Sequence, residues 1–450
     1  MTFLPHTDDE RREMLRAIGV ADLTDLFGDV PESLRFPDLE LPPACSELEL
    51  AQDMRGLADH NREPRPHASF LGAGTYNHFS PATVDYVLRR GEFYTSYTPY
   101  QPELSQGMLQ AMFEYQSMIC RLFDMEVSNA SHYDGATSLA EGVLLALDQG
   151  GGHKDKIILS PGIHPQYREV VRTYLGASNV QVVGDADPFA DPGALTALLD
   201  DRTAALAIQN PNFLGQFEDV TGLADAVHAV GALLIAVVDP ISLGLFQPPG
   251  AYGADVAVAD GQALGIPQSL GGPHLGIFTT RRSHVRRLMG RLVGETVDAE
   301  GRRGYVLTLG TREQHIRRAR ATSNICTNAA LIALGAAVYL ATLGKQGLGR
   351  VAKLCYHKSH YAAAEIGCLP GVIVNPQAPD KQFFKEFVVA LPKPVEAVNT
   401  ALMDESNIVG GYDLGTYHPS MERHMLIAVT ETNPRSEIDR LVEALRRITA

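Results

Sequence analysis

The polar residues with a spacing that could do chemistry stand at the ends of apolar runs. Directly before a helical pattern, residues 129–138 read NASHYDGATS. Gly135, Thr137 and Ser138 at a helix start offer backbone N–H groups and hydroxyls to a phosphate. The plainer alternative is a turn capped by Asp134, which needs only Asp134 and Gly135. Asp239 ends the apolar run ALLIAVVDP. A carboxylate there, surrounded by apolar neighbours, needs a cationic partner, unless it simply starts a turn before Pro240. In a pyridoxal-phosphate site an acid at this place pairs with the pyridinium nitrogen, and a lysine amine holds the cofactor as a Schiff base. The segment expected to carry that lysine, ADVAVADGQALGIPQSLGGPHLGIF (254–278), has Gln262 instead. No lysine stands between Lys156 and Lys345. Lysine is scarce throughout, eight against thirty arginines, so the gap carries chemical rather than statistical weight.

A second constellation is TREQHIRRARATSNICT, 311–327, just before a long apolar pattern. Its arginines read most simply as a solvated face. Thr322, Ser323 and Asn324 are more suggestive, because small hydroxyl and amide groups near a helix start can bind a phosphate or carboxylate. His78, His132, His164 and His315 show no ligand spacing and predict no metal site. GAGTYNHF lacks the third glycine of a dinucleotide fingerprint, and no P-loop string occurs.

The elements that must position these residues follow from periodicity. Short apolar runs predict strands at 156–160, 180–183, 204–209, 233–238, 255–259 and 275–279, with helical patterns at 137–149, 164–175, 192–199 and 223–230. This alternation predicts a mostly parallel sheet covered on both faces, with its binding site at the carboxyl ends of the strands. Before it come an N-terminal arm, with helices near 10–18 and from Ser46, and a helix over 105–123. Between the last two, residues 72–100 read as a loop-built surface carrying tyrosines at 76, 86, 94, 97 and 100. The arm cannot bury much of its own surface, so packing on a partner is expected. A long helix over 328–343 ends at Gly344. Beyond it, strands at 372–375, 387–391 and 425–430 and helices from Pro394 and Pro434, the second capped by Asn433, predict a small α+β domain. The expected division is an arm (1–60), a large α/β domain (61–345) and a small carboxyl-terminal domain (346–450).

Composition narrows the function. A formal net charge of −15 argues against nucleic-acid binding. No apolar run reaches the roughly 18–20 residues of a membrane span. The start, MTFLPHTDDERREMLRAIGV, predicts neither a secretion signal nor a transit peptide. Five cysteines without CxxC spacing predict neither zinc nor a disulfide framework, and a reducing cytoplasm is the simplest home.

Three long motifs carry a family resemblance: YTPYQPELSQG (97–107), GGPHLGIF (271–278) and TREQHIRRARATSNICT. The chain resembles, over nearly its whole length, the amino-terminal half of the glycine cleavage system P-protein, in the form that exists as a separate subunit 1. The resemblance implies a pyridoxal-phosphate-dependent transferase of fold type I. It implies that a companion subunit 2 carries the Schiff-base lysine in a His-Lys pair before an Ile-Pro. Gly261–Gln262 stand here at that spacing before Ile266–Pro267. The implied reaction is decarboxylation of glycine and transfer of the aminomethyl group to the lipoyl arm of the H-protein, by the two subunits together in a prokaryotic cytoplasm. Tyr97, Thr98, Tyr100 and Gln101 would then face substrate or the lipoyl entry. Thr322, Ser323 and Asn324 would face the partner's cofactor phosphate, and Gly135, Thr137, Ser138 and Asp239 would be vestiges of a duplicate cofactor pocket. Two other readings stay open: a scaffold or regulatory pseudoenzyme of the same complex, and an autonomous enzyme holding the cofactor without a covalent link.

Overall fold

A computed structural model describes residues 5–61, 68–187, 192–326 and 329–450. Two compact units result, Met1–Glu63 and Pro64–Ala450. The first holds helices Asp8–Ile18 and Glu47–Ala58, each opened by a capping box, from Thr7 to Glu10 and from Ser46 to Glu49. None of its described residues is buried. Ile18, Leu34, Leu39, Leu41, Leu48 and Leu57 are among its exposed apolar side chains. Local contacts therefore support these helices, the capping boxes and, in the first, the pairs Arg11–Asp8 and Arg12–Asp9, since neither has an apolar face against a core of its own.

The second unit is organised by a seven-stranded sheet. Across it the strands run Val127–Ser128, Gly276–Thr280, Val256–Asp260, Leu233–Val238, Thr203–Asn210, Lys156–Leu159 and Gln181–Val183. The pairings from Val256–Asp260 to Gln181–Val183 are parallel, and the two involving Gly276–Thr280 are antiparallel. Every residue of Leu233–Val238 is buried, as expected of a strand covered on both faces. Leu139, Val143, Ile157, Val171, Ile235 and Val258 pack in the core on one side. Ile119, Phe123, Ala257, Ile277, Ala336 and Tyr339 pack in another. The predicted strands and helices are present with ends shifted by one or two residues. The helix predicted from Thr137 begins at Gly135.

Some expectations are corrected. The segment 72–100 is not all loop, because Ala82–Leu88 and Gly91–Tyr94 are short helices. The long helix ends at Gly344 as expected, but a second helix follows it directly, so helical structure resumes and runs on to Gly367. Gly344 itself is non-helical (φ 60°, ψ −178°), a backbone that only glycine adopts without strain. The expected first residue, Asn328, lies outside the described residues. By length and composition the run Ala330–Gly367 matches a membrane span, but it is interrupted at Gly344 and Ala333, Ala336, Tyr339, Ala352 and Cys355 pack one side of it into the core. An antiparallel hairpin, Val293–Val297 with Arg303–Leu307, had no sequence signal that marked it.

The carboxyl-terminal sheet runs Ile373–Val374, Glu386–Ala390, His424–Ala428, Tyr412–Asp413, all antiparallel. Helices Val395–Ser406 and Arg435–Thr449 cover it. Pro394 and Pro434 precede these helices as N-caps instead of entering their first turns. Asn433 caps neither; its side chain bonds the Thr430 N–H and the Ser69 carbonyl. Gly215 joins this sheet to the large one. Its carbonyl accepts the Phe384 N–H at 2.9 Å, and at φ 85° a Cβ there would collide with the Glu386 carbonyl.

Candidate functional site

Three parallel strands end on one cleft. Gln209 from Thr203–Asn210, Asp239 after Leu233–Val238 and Asp260 at the end of Val256–Asp260 line it, with Tyr76, His164 and Glu386 opposite. The free cavity is about 50 Å³, whereas ligand pockets run to roughly 300–1,000 Å³.

Asp239 has the cation that its burial demands, and the cation stands directly before the strand Glu386–Ala390. Lys385 Nζ lies 2.5 Å from Asp239 Oδ2, while Asp239 Oδ1 accepts the Ile241 N–H at 2.9 Å. Lys385 is 1% exposed. Its ammonium sits 3.3 Å from the centre of the Tyr76 ring and 3.3 Å from His78 Nε2. Glu386, the next residue, accepts the Tyr76 hydroxyl at 2.7 Å and the Ala73 N–H at 2.7 Å. Burial raises the Glu386 carboxyl above the usual range, against these hydrogen bonds.

Gln262 stands in the place of the Schiff-base lysine and is committed elsewhere. Its side-chain oxygen accepts the Tyr76 N–H at 2.9 Å. Its amide nitrogen donates to the carbonyls of Tyr76 (2.9 Å) and Ile266 (2.7 Å). At the start of the helix Gly135–Gln149, Asp134 Oδ1 accepts the Thr137 N–H at 2.7 Å and the Thr137 hydroxyl at 2.9 Å. The Ser138 hydroxyl donates to the Asp134 carbonyl at 2.8 Å. The Gly135 N–H donates to Asp260 Oδ2 at 3.2 Å, and the same oxygen meets His274 Nδ1 at 2.9 Å. That hydrogen bond raises the His274 pKa, outweighing the opposing effect of burial.

These contacts answer whether this pocket fits pyridoxal phosphate. The amine is replaced by an amide with all its groups engaged. The counter-acid is already paired, and a carboxylate sits at the helix start where a phosphate would bring a second negative charge. The residues present do not fit the cofactor. Nor do they favour a metal. His78, Cys355 and Glu431 bring three ligand atoms within 4.8 Å of one another, but His78 Nδ1 is bound to Glu431 at 2.7 Å and the Lys385 ammonium faces its other nitrogen. Burial raises Glu431, yet its bonds to His78 and the Phe79 amide prevail and hold it at about 2.

Of the other candidate residues, Tyr100 connects through Arg291 and Glu313 to the cleft that holds Thr322 and Ser323. Tyr97 and Tyr100 are exposed, by 75% and 55%, and Gln101 is exposed beside half-buried Thr98. Arg291 Nη2 donates to the Tyr100 hydroxyl at 2.8 Å, with its guanidinium 5.4 Å from the ring centre. Arg291 pairs with Glu313, and both are buried. Thr322 and Ser323 line a cleft of about 410 Å³ with Arg286, Arg287, Arg312 and Glu313. Burial and the neighbouring Arg291 lower Arg312 to about 10. Asn324 is exposed. The Ser323 hydroxyl donates to Glu141 Oε1 at 2.7 Å and accepts the Ile325 N–H at 3.1 Å. Burial raises Glu141 to about 7 despite that bond. The helix Gly135–Gln149 links the two clefts, with Gly135 touching Asp260 and Glu141 touching Ser323.

Sequence reasoning missed Lys385, Asp260, Glu386, Glu141 and Arg291. One signal was available: FFKEFVVA (383–390) sets adjacent opposite charges inside an apolar run, which burial permits only when both find partners.

Comparison with known proteins agrees with this architecture. The family model described as glycine cleavage system P-protein matches residues 1–445. A probable glycine dehydrogenase (decarboxylating) subunit 1 of Thermomicrobium roseum is 54% identical over 453 residues, covering 100% of both chains. A crystal structure of glycine decarboxylase (P-protein) of the glycine cleavage system, in inhibitor-bound form, matches with a TM-score of 0.90 at 46% identity, again over 100% of both chains. A sphingosine-1-phosphate lyase of Burkholderia pseudomallei matches with a TM-score of 0.67 at 15% identity, over 93% of this chain and 94% of that one, a likeness of fold alone. The fold is that of pyridoxal-phosphate-dependent enzymes of fold type I. By the extent of these matches, the chain belongs to the glycine cleavage system P-protein family.

Proposed function

We propose that this chain is the non-lysine subunit of a two-subunit glycine decarboxylase. With its companion it decarboxylates glycine and passes the aminomethyl group to the lipoyl arm of the H-protein, in a bacterial cytoplasm. The observation that carries the division of labour is the pocket around Asp239, where Gln262 leaves no amine at the Schiff-base position and Lys385 leaves no free counter-acid. Pyridoxal phosphate, held on the companion subunit, supplies the electron sink for decarboxylation. This chain contributes an arm (1–60), a sheet domain (61–345) and a small domain (346–450). The arm, none of whose described residues is buried, packs on the companion. Tyr97, Thr98, Tyr100 and Gln101 face the substrate or lipoyl entry of the shared pocket. The Arg291 contact supports this reading of Tyr100, since it fixes the phenol of an exposed side chain. Thr322, Ser323 and Asn324 face the companion's cofactor phosphate. The relatives' names, which are those of an enzyme subunit, do not favour a non-catalytic scaffold. The autonomous reading has no support in a pocket already filled.

Glycine–bicarbonate exchange by this chain, by the lysine-bearing subunit and by their mixture tests the reading. Exchange is expected only in the mixture, and exchange by this chain alone refutes it. Tyr100→Phe and Ser323→Ala should each lower kcat/KM about tenfold, roughly 1.4 kcal/mol, with the complex intact on gel filtration. Wild-type kinetics in both would show that the pocket contributors lie elsewhere.

A further inference from the structure

The pocket that no longer suits a cofactor is not slack. Its polar groups converge on one segment without regular structure, Gly72–Phe79. Gln262 holds both backbone groups of Tyr76, and Glu386 holds the Ala73 N–H and the Tyr76 hydroxyl. Glu431 holds the Phe79 N–H at 2.7 Å, and Thr430 Oγ1 donates to the Asn77 carbonyl at 2.7 Å. At the centre stands Lys385, between Asp239 and the face of Tyr76. This residue is strained: its φ is 37°, in the left-handed region that costs an L-residue about 1–2 kcal/mol. Such outliers persist where the surroundings over-determine them. The strain keeps an ammonium in a place that an apolar side chain could fill at similar stability, because a buried ion pair roughly breaks even against a well-packed apolar replacement. What the pair adds is a single geometry: the cation must meet the Asp239 carboxylate and the Tyr76 ring at once.

We infer that Lys385 is a positioning residue, an internal cation that takes the place of a cofactor's pyridinium against Asp239 and pins the segment Gly72–Phe79. That segment continues through the helix Ala82–Leu88, which packs Val84 and Leu88 into the core, to the loop bearing Tyr97 and Tyr100. Gripping its start restricts where the loop can reach. The relic pocket therefore acts as an anchor for the loop that completes the site on the companion chain. The catalytic consequence rests on the reading under Proposed function; the buried, paired state of Lys385 does not.

Two measurements test it. Amine acylation of the native, isolated chain, read residue by residue by mass spectrometry, should modify Lys385 at least about tenfold more slowly than exposed Lys345 and Lys353. Equal rates overturn the inference without touching the assigned reaction. In the two-subunit complex, Lys385→Met alone leaves a buried unpaired carboxylate and is expected to lower both melting temperature and kcat. Asp239→Asn/Lys385→Met removes both charges and should recover the melting temperature and subunit association. Its kcat should stay about tenfold low with KM for glycine within about twofold, because the cation on the face of Tyr76 is still lost. A double variant with wild-type kcat would reduce the pair to a structural contact and overturn the positioning role. The double variant also decides the matter if the single one fails to fold. Absence of exchange in the wild-type mixture would instead refute the assigned reaction, leaving the acylation result to stand on its own.

Discussion

Replacing Glu141 by Gln should make the protein more stable at pH 8 and leave it nearly unchanged at pH 4. Glu141 is 1% exposed, and its side chain meets the Ser323 hydroxyl at 2.7 Å. Burial raises its pKa from 4.5 to about 7. The folded state therefore holds a proton that the unfolded chain releases between pH 4.5 and 7. In that window the folded form binds more protons, so stability falls as pH rises, and the penalty is complete above about pH 7. A shift of about 2.5 units at 1.36 kcal/mol each gives roughly 3 kcal/mol. Glu141→Gln keeps an oxygen for the Ser323 hydroxyl and removes the ionisation, so the penalty disappears with it. For a unit of nearly 390 residues, that difference corresponds to a melting-temperature gain of about 4 °C at pH 8. Thermal unfolding of both proteins from pH 4 to 8 reads the effect. The wild type should lose this increment across pH 5–7 while the variant does not. Parallel pH profiles would refute the argument, since they would mean that the Glu141 carboxylate is solvated or paired when ionised.

Gly215→Ala should cost at least about 2 kcal/mol, because both its φ of 85° and its closeness to the Glu386 carbonyl exclude a Cβ; denaturant unfolding with a wild-type midpoint would show that the join between the two sheets can give way. Restoring the amine by Gln262→Lys should not make this chain take up pyridoxal phosphate, because Lys385 still occupies Asp239 and Asp260 still occupies the Gly135 amide. A visible Schiff-base absorbance in that variant, stable to gel filtration, would show that the pocket fits the cofactor after all.

The sequence alone was enough to establish the absence of an amine at the Schiff-base position, the alternation that makes a mostly parallel sheet, the strand ends where polar residues gather and the motifs of the family. These are local properties. Periodicity sets which residues face inward, and the residue type at the Schiff-base position, Gln262, is read directly from the chain. Element ends were less legible. Pro394 and Pro434 turned out to be caps, because a turn residue's position relative to its helix depends on how the chain packs beyond it. Only the tertiary structure decided what became of the pocket. Asp239 and Lys385 are far apart in sequence, as are Tyr76 and Glu386, and Glu141 and Ser323. No periodicity relates such partners. The first two pairs meet where the residues at the start of the strand Glu386–Ala390 pack on the carboxyl ends of the sheet strands, the third where Ser323 packs on the helix Gly135–Gln149. Each charge buried there needs a partner.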